Sequence, residues 1–97
     1  FDRTATGWRL HGHPQWWLDI AAEWGTRDYW EQWLRVRAPP LLIEAGNSVA
    51  PPGQMRQMAE IGARTSYLYV SEAGHLIHDE QPEVYRDAVT GFLASLA

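Results

Sequence analysis

The run Tyr67-Leu-Tyr-Val-Ser-Glu-Ala-Gly-His75-Leu-Ile-His-Asp-Glu-Gln-Pro82-Glu-Val-Tyr-Arg-Asp-Ala-Val-Thr-Gly-Phe92-Leu93 decides how this chain folds. Tyr67-Leu68-Tyr69-Val70 is aromatic and β-branched, the composition of a strand. Ala73-Gly74 reads as a small-residue turn, and His75 follows at once. A short polar loop then leads to Pro82, which predicts the first turn of a helix. Val84, Tyr85, Ala88, Val89, Phe92, Leu93 and Leu96 give that helix a broad apolar stripe. A histidine at the carboxyl end of a strand stands on a rigid stem and projects into the crevice where parallel sheets carry their chemistry.

Working outward, Ala38-Pro39-Pro40 is a boundary, because proline cannot continue a helix and forces the residue before it into extended geometry. Leu41-Leu42-Ile43 is a continuous apolar run, as expected of a strand covered on both faces. Gly46 to Gly53 reads as a turn-rich loop, and Gln54 to Ile61 as a helix with Met55, Met58 and Ile61 inward, closed by Gly62. A strand, a helix and a second strand in this order predict a parallel pair with a right-handed crossover. Two parallel strands alone leave edges and an apolar face uncovered, so more sheet is expected from elsewhere.

The first third has a different character. All six tryptophans lie between Trp8 and Trp33. Pro14 predicts a helix start, with Trp17, Ile20, Ala21 and Trp24 on one face and Gly25 as the stop. A second short helix follows, capped by Thr26 or Asp28, in which Trp30, Trp33 and Leu34 share a face.

Composition bounds the function. The 97 residues amount to one small domain or part of a larger one, with a formal net charge of −4 and 45% hydrophobic residues. All eight basic residues are arginines and they are scattered, which argues against a nucleic-acid surface. Arginine to the exclusion of lysine is a bias expected of a GC-rich bacterial gene. There is no cysteine, so neither disulfides nor thiolate metal sites are available. No apolar run reaches the length of a membrane span, and no signal peptide is recognisable, so a cytoplasmic chain without a membrane partner is expected. The opening Phe1-Asp2-Arg3 carries no start signal and suggests a piece of a longer polypeptide.

The ordered series from residue 28 to residue 96 resembles the C-terminal portion of α/β-hydrolases. The segments that carry the likeness are Tyr29-Trp-Glu-Gln-Trp33, Val36-Arg-Ala-Pro39-Pro-Leu-Leu-Ile43, Glu44-Ala-Gly-Asn-Ser48, Met58-Ala59, Gly74-His75, Gln81-Pro82-Glu83 and Phe92-Leu93. The resemblance implies an α/β fold in which Leu41–Ile43 and Tyr67–Val70 are the seventh and eighth strands and His75 is the catalytic base. Residues 1–37 would be the end of a Trp-rich helical lid with its connecting helix. Residues 38–97 would be the last strand–helix–strand–helix part of the core. Two family features do not occur here. The nucleophile elbow Gly-x-Ser-x-Gly is absent. Where many members carry an aspartate after the seventh strand this chain has Ser48, which cannot stabilise an imidazolium as a carboxylate does. Both nucleophile and acid are therefore expected upstream of Phe1.

The resemblance implies serine-type hydrolysis of an ester, lactone or related carbonyl substrate in the full protein, with no cofactor and no metal. The chain alone would be inactive, its partner being the N-terminal part of the hydrolase core or another chain. Two alternatives stand beside this. One is a non-catalytic fragment or subunit that completes a partner's sheet. The other is an epoxide, carbon–halogen or carbon–carbon hydrolase on the same fold. His75 is the residue expected to act. Glu44, directly after the strand, is a candidate substitute acid. Trp8, Trp16 and Trp17 are candidates for lining an apolar pocket, although packing alone explains large aromatic residues well. The His11-Gly-His13 pair and the His78-Asp79-Glu80 run have metal-like residue types but read better as ordinary loop residues, with the acids favourable near a helix start.

Overall fold

The computed structural model describes residues 1–97 as a mixed α/β chain with two small sheets. Strands β1 (Asp2–Thr4) and β2 (Gly7–Arg9) form an antiparallel hairpin. Helices α1 (Pro14–Thr26) and α2 (Trp30–Leu34) follow. The rest runs β3 (Leu41–Asn47), α3 (Gln54–Ile61), β4 (Ser66–Gly74), α4 (Ile77–Glu80) and α5 (Pro82–Ser95). β3 and β4 pair in parallel, with Leu41 opposite Ser66 and Ala45 opposite Val70, as the strand–helix–strand order requires.

Several boundaries differ from those read in the sequence. β3 continues through Gly46 to Asn47, so the expected loop is shorter at its start. Ala73-Gly74 is the end of β4 rather than a turn. The polar stretch before Pro82 contains the one-turn helix α4, because Ile77 is driven into the core and its neighbours coil around it. The hairpin β1–β2 was not anticipated; its three-residue strands are too short to show a period-two pattern. α1 runs one residue past Gly25, and α2 starts without a side-chain cap. His13 caps α1, its Nδ1 accepting from the Gln15 amide at 3.1 Å.

The core is small and lies at the carboxyl end of the parallel pair. Ala45, Val70, Ala73 and Ile77 are the only buried apolar residues, with Ile43 and Leu68 packed against them. Residues alternate across the pleat. Ile43, Ala45, Leu68 and Val70 therefore share the core face, while Leu42, Glu44, Tyr67 and Tyr69 share the opposite face beneath α3. α2 is tied to the end of α3, where Trp33 Nε1 donates to the Met58 carbonyl at 2.9 Å. Two of the four core residues are alanines, so the core buries little apolar surface for a chain of 97 residues. The radius of gyration is 17.5 Å, against about 13 Å for a compact domain of this length. No helix is long and apolar enough to cross a membrane.

Candidate active site

His75 is the first residue beyond β4, and the chain on either side of it is braced. The Gly74 amide donates to Glu80 Oε2 at 2.6 Å. Gln81 Nε2 donates to the Glu72 carbonyl at 3.0 Å. Two residues on, Ile77 is buried at 8% exposure and anchors the loop in the core. Gly74 lacks the Cβ that would collide with the Glu80 carboxylate, so the brace depends on that small residue. Between these fixed points His75 itself is exposed.

The ring meets one side chain of this chain. Ser48 Oγ lies 3.5 Å from His75 Nδ1, at the outer limit of hydrogen bonding. Ser48 is held by the Ala50 amide, which donates to its Oγ at 3.1 Å. The residue that follows β3 thus brings a hydroxyl to this ring nitrogen. A neutral hydroxyl can orient the ring and select its tautomer, but it adds no charge to stabilise an imidazolium. The other nitrogen, Nε2, makes no hydrogen bond within the chain.

Glu44 is buried at 8% exposure but does not join this pair. Its carboxylate accepts from the Tyr67 hydroxyl on the α3 side of the sheet. That hydrogen bond is the main reason the Tyr67 phenol is raised above its ordinary pKa; burial adds to the effect, and the neighbouring Arg56 opposes it. The structure therefore brings Ser48 to His75 and leaves Glu44 with Tyr67.

The tryptophans suggested for a substrate pocket are far more open than packing residues. Trp8, Trp16 and Trp17 are 71%, 64% and 51% exposed. Trp17 borders a shallow cleft with Arg9, Leu10, Gly12 and Pro14, and its Nε1 donates to the His11 carbonyl at 3.1 Å. A more aromatic cleft of about 270 Å³ lies between α2 and α3, lined by Tyr29, Trp30, Trp33 and Met58. The apolar i, i+3, i+4 spacing of α2 was its only sequence signal. The remaining histidines have local partners: His11 Nδ1 is 3.0 Å from Asp2, and His78 is 3.8 Å from Asp79 and lies edge-on to Tyr85. No family model, no curated protein and no solved structure matches this chain.

Proposed function

We propose that this chain is the C-terminal part of an α/β-hydrolase and supplies its general base, His75. The observation that carries the reading is the parallel β3–α3–β4 unit with His75 one residue past the crevice end of β4. Its Nδ1 faces the residue that follows β3, and its Nε2 is free. In the proposed reaction Nε2 takes the proton of a serine hydroxyl as that oxygen attacks an ester or lactone carbonyl, and returns it to the leaving oxygen. Nδ1 keeps its proton, held towards Ser48. The nucleophile, the acid and the oxyanion donors would come from residues outside this chain. Residues 1–37 would be the end of the lid, its Trp-bearing helix α1 facing the crevice. The setting proposed is the cytoplasm, with a small carbonyl substrate.

A second reading is supported by Ser48, which puts a neutral group where the triad acid would act. On that reading the chain completes a partner's sheet through the free edges of β3 and β4, and His75 has no catalytic part. A fluorophosphonate label separates the two in the intact protein that carries this chain. The hydrolase reading expects covalent labelling of one serine outside residues 1–97, lost in His75→Ala. Labelling at Ser48, or none at all, would overturn it.

A further inference from the structure

The face of the sheet opposite the core carries an unusual set of groups. Beneath the first turn of α3 lies a cleft of about 310 Å³ whose lining includes Glu44, Ala50, Pro52, Arg56, Tyr67 and Tyr69. That is the small end of the range for ligand pockets, about 300–1,000 Å³. Glu44 is more than nine-tenths buried, and a buried carboxylate is costly unless its oxygens are satisfied. One oxygen, Oε2, accepts from Tyr67; Oε1 makes no hydrogen bond within the chain and is open to the cleft. Arg56 lines the same cleft and stands beside the Tyr67 hydroxyl, yet it forms no ion pair with Glu44 or with any other carboxylate. The two opposite charges thus line one cleft, both beside the Tyr67 hydroxyl, without forming an ion pair. Ala50, Pro52 and the Tyr69 ring supply apolar surface next to them.

We propose that this cleft binds a small zwitterion of the free α-amino acid class. Its ammonium would sit on Glu44 Oε1, its carboxylate on the Arg56 guanidinium, and its apolar side chain against Ala50, Pro52 and Tyr69. A ligand with one charge satisfies one wall and leaves the other charge unpaired. A zwitterion compensates both and keeps the cleft neutral, and the planar guanidinium suits a carboxylate. The inference does not depend on the hydrolase proposal, because it is read by binding and not by turnover.

The test is calorimetric titration of the intact protein with L-valine, alongside N-acetyl-L-valine and L-valinamide, each of which lacks one charge. L-Valine should bind saturably with a Kd of roughly millimolar, and each analogue at least about tenfold more weakly. Glu44→Gln keeps an acceptor for Tyr67 and should also weaken binding by about tenfold or more. Arg56→Gln, at an exposed helical position, should do the same with an unchanged circular dichroism spectrum. If Glu44→Gln fails to fold, Arg56→Gln and the two analogues decide the matter. No saturable binding of L-valine up to about 10 mM, or equal binding of all three compounds, overturns the proposal.

Discussion

Residues 1–34 and residues 38–97 use apolar side chains in opposite ways. The first region holds all six tryptophans and no buried residue. The second holds every buried residue of the chain. α1 is amphipathic by spacing, yet Trp16, Trp17, Leu18, Ile20 and Trp24 are between 43% and 72% exposed. β3 and β4 bury a few small residues because strand pairing brings Ala45 and Val70 side by side and Ile77 folds back onto them. An apolar stripe is a capacity for burial, and only an opposing surface realises it. The exposed stripe of α1 and the free edges of the sheet are thus the same kind of feature: surface that nothing in this chain covers.

The comparison can be broken or sharpened by experiment. The largest effect should be kinetic. On the proposed hydrolase reading, with a p-nitrophenyl acyl ester and the intact protein, His75→Ala should lower kcat by at least about a thousandfold, because base and nucleophile would act as a unit. Ser48→Ala and His78→Ala should each cost less than about tenfold, since one removes a long hydrogen bond from a neutral hydroxyl and the other an exposed side chain. Equal losses for His75 and His78, restored by zinc, would replace the serine-hydrolase proposal with a metal site.

Next come the core substitutions in the second region. Ile77→Ala removes the largest buried apolar side chain of the core and should cost about 3 kcal/mol in urea unfolding. Gly46→Ala should cost about 2 kcal/mol, because its Cβ would press on the Ser71 carbonyl where the β3–β4 register shifts between Ala45 and Asn47. Backbone cannot swing away as a flexible side chain can. If neither variant moves the midpoint, the second region is not the better-packed one.

A pH effect should belong to the same region. Tyr67 is raised above its ordinary value near 10, mainly through its bond to Glu44. The folded state therefore holds this proton more tightly than the unfolded chain does. That contribution is fully present below pH ~10 and is lost as pH rises towards and through the raised folded value. Tyr67→Phe should show a smaller loss of stability on alkaline titration, and an identical alkaline limb would show that Tyr67 contributes nothing.

The smallest effects should lie in the first region. His13→Ala removes the α1 cap and should cost about 0.5 kcal/mol, seen as faster amide exchange in the first turn of α1. Trp16→Ala in the isolated chain should leave its far-ultraviolet circular dichroism unchanged, because the side chain is exposed there, and in the intact protein it should cost less than about 0.5 kcal/mol if α1 stays uncovered. In the isolated chain iodide should quench most tryptophan emission and spare Trp33, which is held against the end of α3. If α1 is covered in the intact protein, the cost of Trp16→Ala there should rise to about 3 kcal/mol or more. Monomeric sedimentation and a cooperative melt of the 97-residue chain by itself would remove the case for a missing surface.

The elements of the second region were readable because several local signals agreed. Pro39-Pro40, Gly62 and Pro82 bound segments whose interiors have the matching period, so α3 and the start of α5 fall where expected. The hairpin escaped notice for want of length. α4 escaped because its helix forms around one buried residue, Ile77, and a single apolar position has no period.

Sequence by itself determined the strand–helix–strand order, the position of His75 just past a strand and the absence of a nucleophile elbow, since these follow from local propensity and residue identity. Only the tertiary structure decided which side chains meet. Ser48 and His75 are 27 residues apart and touch because β3 and β4 pair in a register that brings their carboxyl ends together. Glu44 and Tyr67, 23 residues apart, meet on the opposite side of the same pair. Strand alternation assigns each residue to a face, but which faces oppose each other depends on register, and register is a property of two segments at once.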